Sequence, residues 1–261
     1  MNLTTQTFLQ HLPVGRGVFN DALEPLLALQ DEVREAFGYS IQNDVESAQR
    51  MESLFSNRQP LGRDEWSFEQ RQEATIDLRK HLHAAKQLFV VGAGSEEIRT
   101  SDYDPEARFI AADGAVGAVD DLSKVLCVVS DGDGAEHLQR AIESSVHIVL
   151  HAHGDNLETW TRLCTEWAKM ESVPSLTLTH QTTTSFVGMH NPGGFTDGDR
   201  ALCFLQSMGL DLSQVRCLGF STQKVGMWSG ATDPDAKLDK LQWMNEAMVR
   251  LGVEHQLINY D

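Results

Sequence analysis

The chain has 261 residues, 41% apolar and 23% charged, enough for one large globular domain or a core domain with a smaller partner. Twenty-one Lys and Arg against 38 Asp and Glu leave a formal charge of −17. Such a surface repels nucleic-acid phosphates and anionic membranes, so neither is expected as a partner, and no apolar run approaches the ~20 residues of a membrane helix.

Residues 1–17 hold no basic stretch followed by an apolar one, so no signal peptide is expected. Residues 1–86 contain no β-rich run. Helical spacing appears at Leu23, Leu26, Leu27, Val33 and Phe37, again at Val45, Ala48, Met51, Leu54 and Phe55, and again at Ile76, Leu78, Leu82 and Ala85. Residues 56–64, with Pro60 and Gly62, read as a loop. This N-terminal helical segment is expected to pack on the remainder of the chain, and its apolar faces could carry a homodimer contact.

Residues 87–261 alternate. Short β-rich runs occur at Leu88–Val91, Arg108–Ala111, Val125–Val129, Val146–Leu150, Ser175–Thr179 and Val215–Phe220. Amphipathic helical patterns lie between most of them, one carrying Leu157, Trp160, Leu163, Cys164 and Trp167, with Asn156 as its N-cap. A last helix starts at Asp233-Pro234. The alternation predicts an α/β fold: a mostly parallel, Rossmann-like sheet covered by helices. Cys127, Cys164, Cys203 and Cys217 form no CxxC pair and lie among apolar residues. They read as reduced, buried thiols of a cytoplasmic protein.

Polar residues gather where the strands end. Gly92-Ala93-Gly94-Ser95, Asp113-Gly114, Ser130-Asp131-Gly132-Asp133-Gly134, His151-Ala152-His153-Gly154-Asp155-Asn156 and His180-Gln181 come directly after five consecutive runs. Open α/β sheets bind ligands at that edge. The glycine turn can hold a phosphate or simply be tight. Asp131 and Asp133 can share a hard cation through oxygen ligands, or form a solvated turn before a helix. His151, His153 and Asp155 suit hydrogen bonding to a ligand better than structural zinc, because no Cys accompanies them. Gly193-Gly194-Phe195-Thr196-Asp197-Gly198-Asp199-Arg200 precedes a helix, and Arg200 offers a fork for phosphate. Lys237 and Lys240 share a helical face.

His151–Asn156 (HAHGDN) and Gly193–Ala201 (GGFTDGDRA) carry a resemblance to a known family, the archaeal 6-hydroxymethyl-7,8-dihydropterin pyrophosphokinases, which are related to thiamin pyrophosphokinases. Val90–Ser95, Ala112–Ala115, the aspartates at 131 and 133, Phe37–Ser40 and Lys237–Leu241 also fit, and the similarity runs from about residue 20 to 250. The resemblance implies that residues 87–261 form a nucleotide-binding catalytic domain. There, diphosphate would pass from ATP to the hydroxymethyl oxygen of a pterin alcohol with Mg²⁺, releasing AMP for folate or tetrahydromethanopterin synthesis. It places Mg²⁺ at Asp131 and Asp133. The candidate catalytic set is Asp131, Asp133, His151, Asp155, Asp197, Asp199 and Arg200. The candidate nucleotide contacts are Gly92, Gly94, Ser95, Asp113, Gly114, His153, Asn156, Thr196, Lys224 and Lys237. His151 or Asp155 would accept the hydroxyl proton. Asp197 or Asp199 would bind a second Mg²⁺ or orient the acceptor. Arg200, Lys224 or Lys237 would balance charge on departing AMP. Competing expectations are a DxD-type nucleotide-sugar glycosyltransferase, a thiamin pyrophosphokinase and a nucleotide-binding module without turnover.

Overall fold

A computed structural model describes residues 18–230 and 233–258; the stretch read for a signal peptide lies outside the described residues. Three helices come first: α1 (Glu24–Phe37), α2 (Ile41–Phe55) and α3 (Phe68–Ala84). Then strands and helices alternate: β1 (Gln87–Val91), β2 (Ala107–Ala112), β3 (Val125–Ser130), α4 (Ala135–Glu143), β4 (His147–Ala152), α5 (Leu157–Trp167), β5 (Leu176–His180) and β6 (Met189–His190). The chain closes with α6 (Asp197–Ser207), β7 (Val215–Leu218) and α7 (Pro234–Leu251).

The seven strands form one sheet, ordered β6-β5-β4-β3-β2-β1-β7, and every pairing is parallel. The chain steps outward from β1 to β6 and then returns to lay β7 on the other side of β1. Both faces of such a sheet must be covered, which is why its strands read as near-continuous apolar runs. On one face Met51 and Phe55 of α2, Leu138 of α4 and Trp160 and Leu163 of α5 meet Phe89, Val128, Ile148 and Leu178. On the other, Leu82 of α3, Phe204 of α6 and Met248 of α7 meet Val90, Ile110, Val129 and Val149. Helix α1 packs Leu29 and Val33 against Ala247 of α7 and Phe195.

The observed elements depart from expectation in small ways. β6 is not among the expected strands, because its two residues are too few for a periodic signal. β7 stops at Leu218 because Gly219 turns into the left-handed region at φ +69°. The apolar faces of α1 and α2, which offered a homodimer contact, are buried within the chain: Leu26, Leu29, Ala48 and Met51 are each 0% exposed. All four cysteines are free; Cys127, Cys164 and Cys203 are buried as expected, whereas Cys217, near the end of the edge strand β7, is only half-buried. Among the described residues no helix is long and apolar enough to cross a membrane.

Trp160 pins α2 to α5. It is 1% exposed and its indole N–H donates to Ser47 Oγ at 3.0 Å. Trp160→Ala leaves a cavity and an unpaired hydroxyl between the two helices. It should lower stability by about 3–5 kcal/mol, read as a fall in the urea midpoint with little change in slope.

Candidate active site

A cavity of about 350 Å³ opens at the carboxyl edge of the sheet, over the ends of β1 to β5 and β7. Parallel strands put all their loops at this edge, so turns far apart in sequence share one space.

Asp113, at the tip of β2, adopts φ +47° and is turned back toward β3. It accepts from the Ser130 hydroxyl and from the backbone amides of Gly114 and Gly134. Glycine is needed at 134, since a Cβ there would lie 2.5 Å from Asp113 Oδ2. Burial, and then the charge of Asp131, push the Asp113 carboxyl up to about 6.

Asp131 lies at the tip of β3. Its Oδ2 is 3.3 Å from His153 Nε2 and 3.5 Å from Arg200 Nη1. Burial works against its ionisation, but the His153 hydrogen bond and the charges beside it prevail and hold the carboxyl well below the usual range. Its negative charge, then burial, raise Asp133. Burial, then Asp131, raise Asp197 well above its ordinary value, although Arg200 Nη1 lies 3.2 Å away. Four carboxylates thus press on one another around one charged centre. Their oxygens are the hard donors that Mg²⁺ or Ca²⁺ takes, and a divalent ion would relieve the repulsion. Among the described residues no group of three His, Cys, Asp or Glu side chains is arranged to hold a metal. Two carboxylates leaving other positions to water or phosphate oxygen is the arrangement Mg²⁺ favours.

Arg200 is 4% exposed and holds the centre together. Beyond the two aspartates, its Nη2 donates to Gln181 Oε1 at 3.1 Å, and its buried Nε has no partner among the described residues. Gln181 Oε1 also lies 3.4 Å from His151 Nε2, whose Nδ1 is 3.0 Å from Thr179 Oγ1. The Thr179 hydroxyl facing Nδ1 also donates to Leu150 O at 3.3 Å. Burial, then the charge of Arg200, push the His151 pKa far down, so the ring is neutral.

The cavity is lined by Gly92, Gly94, Asp113, Asp131, Asp133, His153, Asp155, Thr196, Asp197, Arg200, Lys224 and Lys237 from the candidate sets. Five candidates are elsewhere. His151 is fully buried beneath the edge. Asp199 closes the start of α6, accepting from the amides of Phe195 at 2.6 Å and Thr196 at 2.8 Å. Asn156 occupies the N-cap position of α5 without capping it; its amide instead donates to Asp131 O and His151 O, tying two loops. Ser95 Oγ bonds Leu218 O, and Gly114 lets Trp228 O approach closely. Gly92 and Gly94 also have a packing reason: a Cβ on either would strike Phe220 or Gly219 of the neighbouring turn at 2.8 Å.

The helical segment before the sheet supplies residues outside the candidate sets. Asp44 at the start of α2 is 3% exposed. Its Oδ1 accepts from the Gly154 amide at 2.8 Å and from Gln181 Nε2 at 3.0 Å, and its Oδ2 from Arg34 at 3.0 Å. Tyr39, Ser40 and Asn43 line the cavity beside it. In sequence, Asp44 reads as an ordinary acid in a helix first turn, and nothing local marks a partner 110 residues away. Only the resemblance at Phe37–Ser40 points to this junction.

Three curated proteins are similar to the chain, all bearing the name 6-hydroxymethyl-7,8-dihydropterin pyrophosphokinase. The one from Methanothermobacter thermautotrophicus is 30% identical over 187 residues, covering 68% of this chain and 69% of that protein. The one from Methanocaldococcus jannaschii is 29% identical over 67% of this chain and 70% of its own length. The one from Pyrococcus furiosus is 28% identical over 84% and 89%. No protein-family model matches the chain.

The Asp113 carboxyl yields a prediction whose sign is set by where the proton sits. Folded, it keeps its proton to about pH 6; unfolded, it loses it near the ordinary carboxylate value. The native state therefore binds more protons in that window, and this group makes stability fall as pH rises through it. Asp113→Asn should flatten that fall in urea denaturation series between about pH 4 and 7. A variant with the wild-type slope would contradict the assignment.

Proposed function

The chain belongs to the 6-hydroxymethyl-7,8-dihydropterin pyrophosphokinase family, and from that premise we propose that it transfers diphosphate from ATP to the hydroxymethyl oxygen of a pterin alcohol. The observation that carries the reading is the meeting of Asp113, Asp131, Asp133 and Asp197 with Arg200 and Lys237 around one cavity. Phosphoryl transfer asks a protein for positioning and charge neutralisation more than for covalent help.

The alcohol oxygen attacks the β-phosphorus, the bond from that phosphorus to the α,β-bridging oxygen breaks, and AMP leaves with the bridging oxygen. Asp131 and Asp133 would hold Mg²⁺, which would neutralise phosphate charge. Arg200, Lys224 and Lys237 balance the charge that collects on AMP. Asp197, close to Arg200, would orient the acceptor or help hold the metal. His151 is sealed under the edge, so the hydroxyl proton goes to Asp155, which lines the cavity. The product carries a good leaving group on a methylene carbon, as a folate- or tetrahydromethanopterin-type condensation requires.

A DxD glycosyltransferase would use Asp131 and Asp133 and leave Asp197 and Arg200 without a task. A thiamin pyrophosphokinase would differ only in the acceptor. Incubation with Mg-ATP and a panel of hydroxymethyl acceptors separates these readings. AMP formed only with a pterin alcohol supports the proposal, whereas ADP, or AMP formed with a thiazole-pyrimidine alcohol instead, overturns it. Asp131→Asn should lose about a hundredfold to a thousandfold in kcat while melting as a folded protein, since it removes the centre's fixed charge. A variant within about threefold of wild type would rule out the metal role.

A further inference from the structure

We propose that the junction of α1 and α2, through Tyr39 and Asn43 together with Phe195, forms the subsite that receives the flat ring of the acceptor. The inference rests on the diphosphate-transfer reading and assigns the two ends of its cavity.

The cavity runs from the end of β5 to the end of β7, five strand spacings or about 24 Å. Asp131 stands at the tip of β3, within that span. In-line transfer sets the attacking and leaving oxygens on opposite sides of the phosphorus. Donor and acceptor must therefore reach the acidic centre from opposite ends.

The two ends differ in charge. Toward β7 and α7 lie Lys224, Lys237 and Lys240, with Ser221 and the glycine turns after β1 and β7. A polyphosphate suits this end. Toward β4 and β5 the wall includes Asp44 and Asp155. The cation behind it, Arg34, is engaged by Asp31, Asp44 and the Gln181 carbonyl. A triphosphate would meet repulsion there; a neutral ring would not.

Both ends carry aromatic rings, Phe220 and Trp228 toward β7 and Tyr39 and Phe195 toward α1, but only the second pair stands away from the lysines. Tyr39 stacks on Phe37 with ring centroids 5.4 Å apart and planes 13° apart, and Phe37 on Phe195 at 5.8 Å and 29°. Tyr39 and Phe195 both line the cavity, so a planar heterocycle finds π-faces there. Asn43 is exposed and, among the described residues, its side chain makes no hydrogen bond. Its amide offers one acceptor and two donors, which match the alternating donors and acceptors along a pyrimidinone edge. Asn43 is pressed onto the loop after β4: a Cβ on Gly154 would lie 2.7 Å from Asn43 Cβ. The contact from Asp44 to the Gly154 amide, and from Asp44 through Gln181 to Arg200, fixes this wall relative to the acidic centre. Binding a ring here also places its hydroxymethyl arm near Asp155, the proposed proton acceptor.

The test compares Tyr39→Leu, Asn43→Ala and Tyr39→Phe with wild type, each checked by thermal melting. KM for the pterin alcohol should rise at least about tenfold in the first two, and far less in Tyr39→Phe, which keeps the ring. KM for ATP should stay within about twofold. A rise confined to KM for ATP, or no rise in either, overturns the assignment. If wild type itself releases no AMP with a pterin alcohol, the diphosphate-transfer reading fails. The subsite is then judged by titrating fluorescent 6-hydroxymethylpterin into wild type and Tyr39→Leu. Binding lost in the variant sustains the subsite, and equal or absent binding in both removes it.

Discussion

The ionised state of Asp131 is the constraint around which the edge of the sheet is arranged. A buried carboxylate keeps its charge only if opposite charge and hydrogen bonds compensate for lost water. His153 and Arg200 supply that compensation. The charge then acts on its surroundings, raising Asp133 and adding to the burial that raises Asp113 and Asp197. The centre is thus one anion held firmly and three carboxyls kept reluctant to ionise. Positive charge entering this set would relieve its repulsion. Removing one partner from a buried ion pair costs about 3–5 kcal/mol, so Arg200 holds the structure whatever else it does.

Arg200 is in turn held by residues with no chemistry of their own. Gln181 accepts from it on one side and donates to Asp44 on the other; an amide is suited to this, presenting both kinds of group. His151, buried and neutral, supports Gln181 from beneath. The HAHGDN stretch therefore divides its labour. One imidazole braces the floor, the other meets the carboxylate, and the asparagine ties the loops that carry them.

Much of this is legible in the sequence. Six of the seven strands announce themselves as apolar runs because both faces of a parallel sheet are buried. The polar residues at their ends stand out as candidates because the edge rule places loops together regardless of sequence distance. Direction is what stays hidden. Asp197 and Asp199 are two residues apart in the same turn, yet one faces the cavity and the other caps the helix. His151 and His153 likewise alternate between floor and cavity. The Asp44 contacts span 110 residues to Gly154 and 137 to Gln181, and no local pattern records them. The glycines of the first turn read as ligand contacts, while close packing against the β7 turn also requires them.

That packing has a consequence for how the molecule assembles. Gly94 N donates to Gly219 O, and a Cβ on Gly226 would lie 2.1 Å from the Ala93 backbone. Two main chains more than about a hundred residues apart in sequence therefore interlock without side chains between them. Such a contact closes a long loop, whose entropic cost is met late in folding. The strands from β1 to β5 can zip outward through near neighbours, whereas the return of β7 must wait for them. The β7 end of the edge would be the last part of the molecule to mature, and a chain still emerging from the ribosome would carry its four carboxylates before Lys224 and Lys237 closed the other end of the cavity.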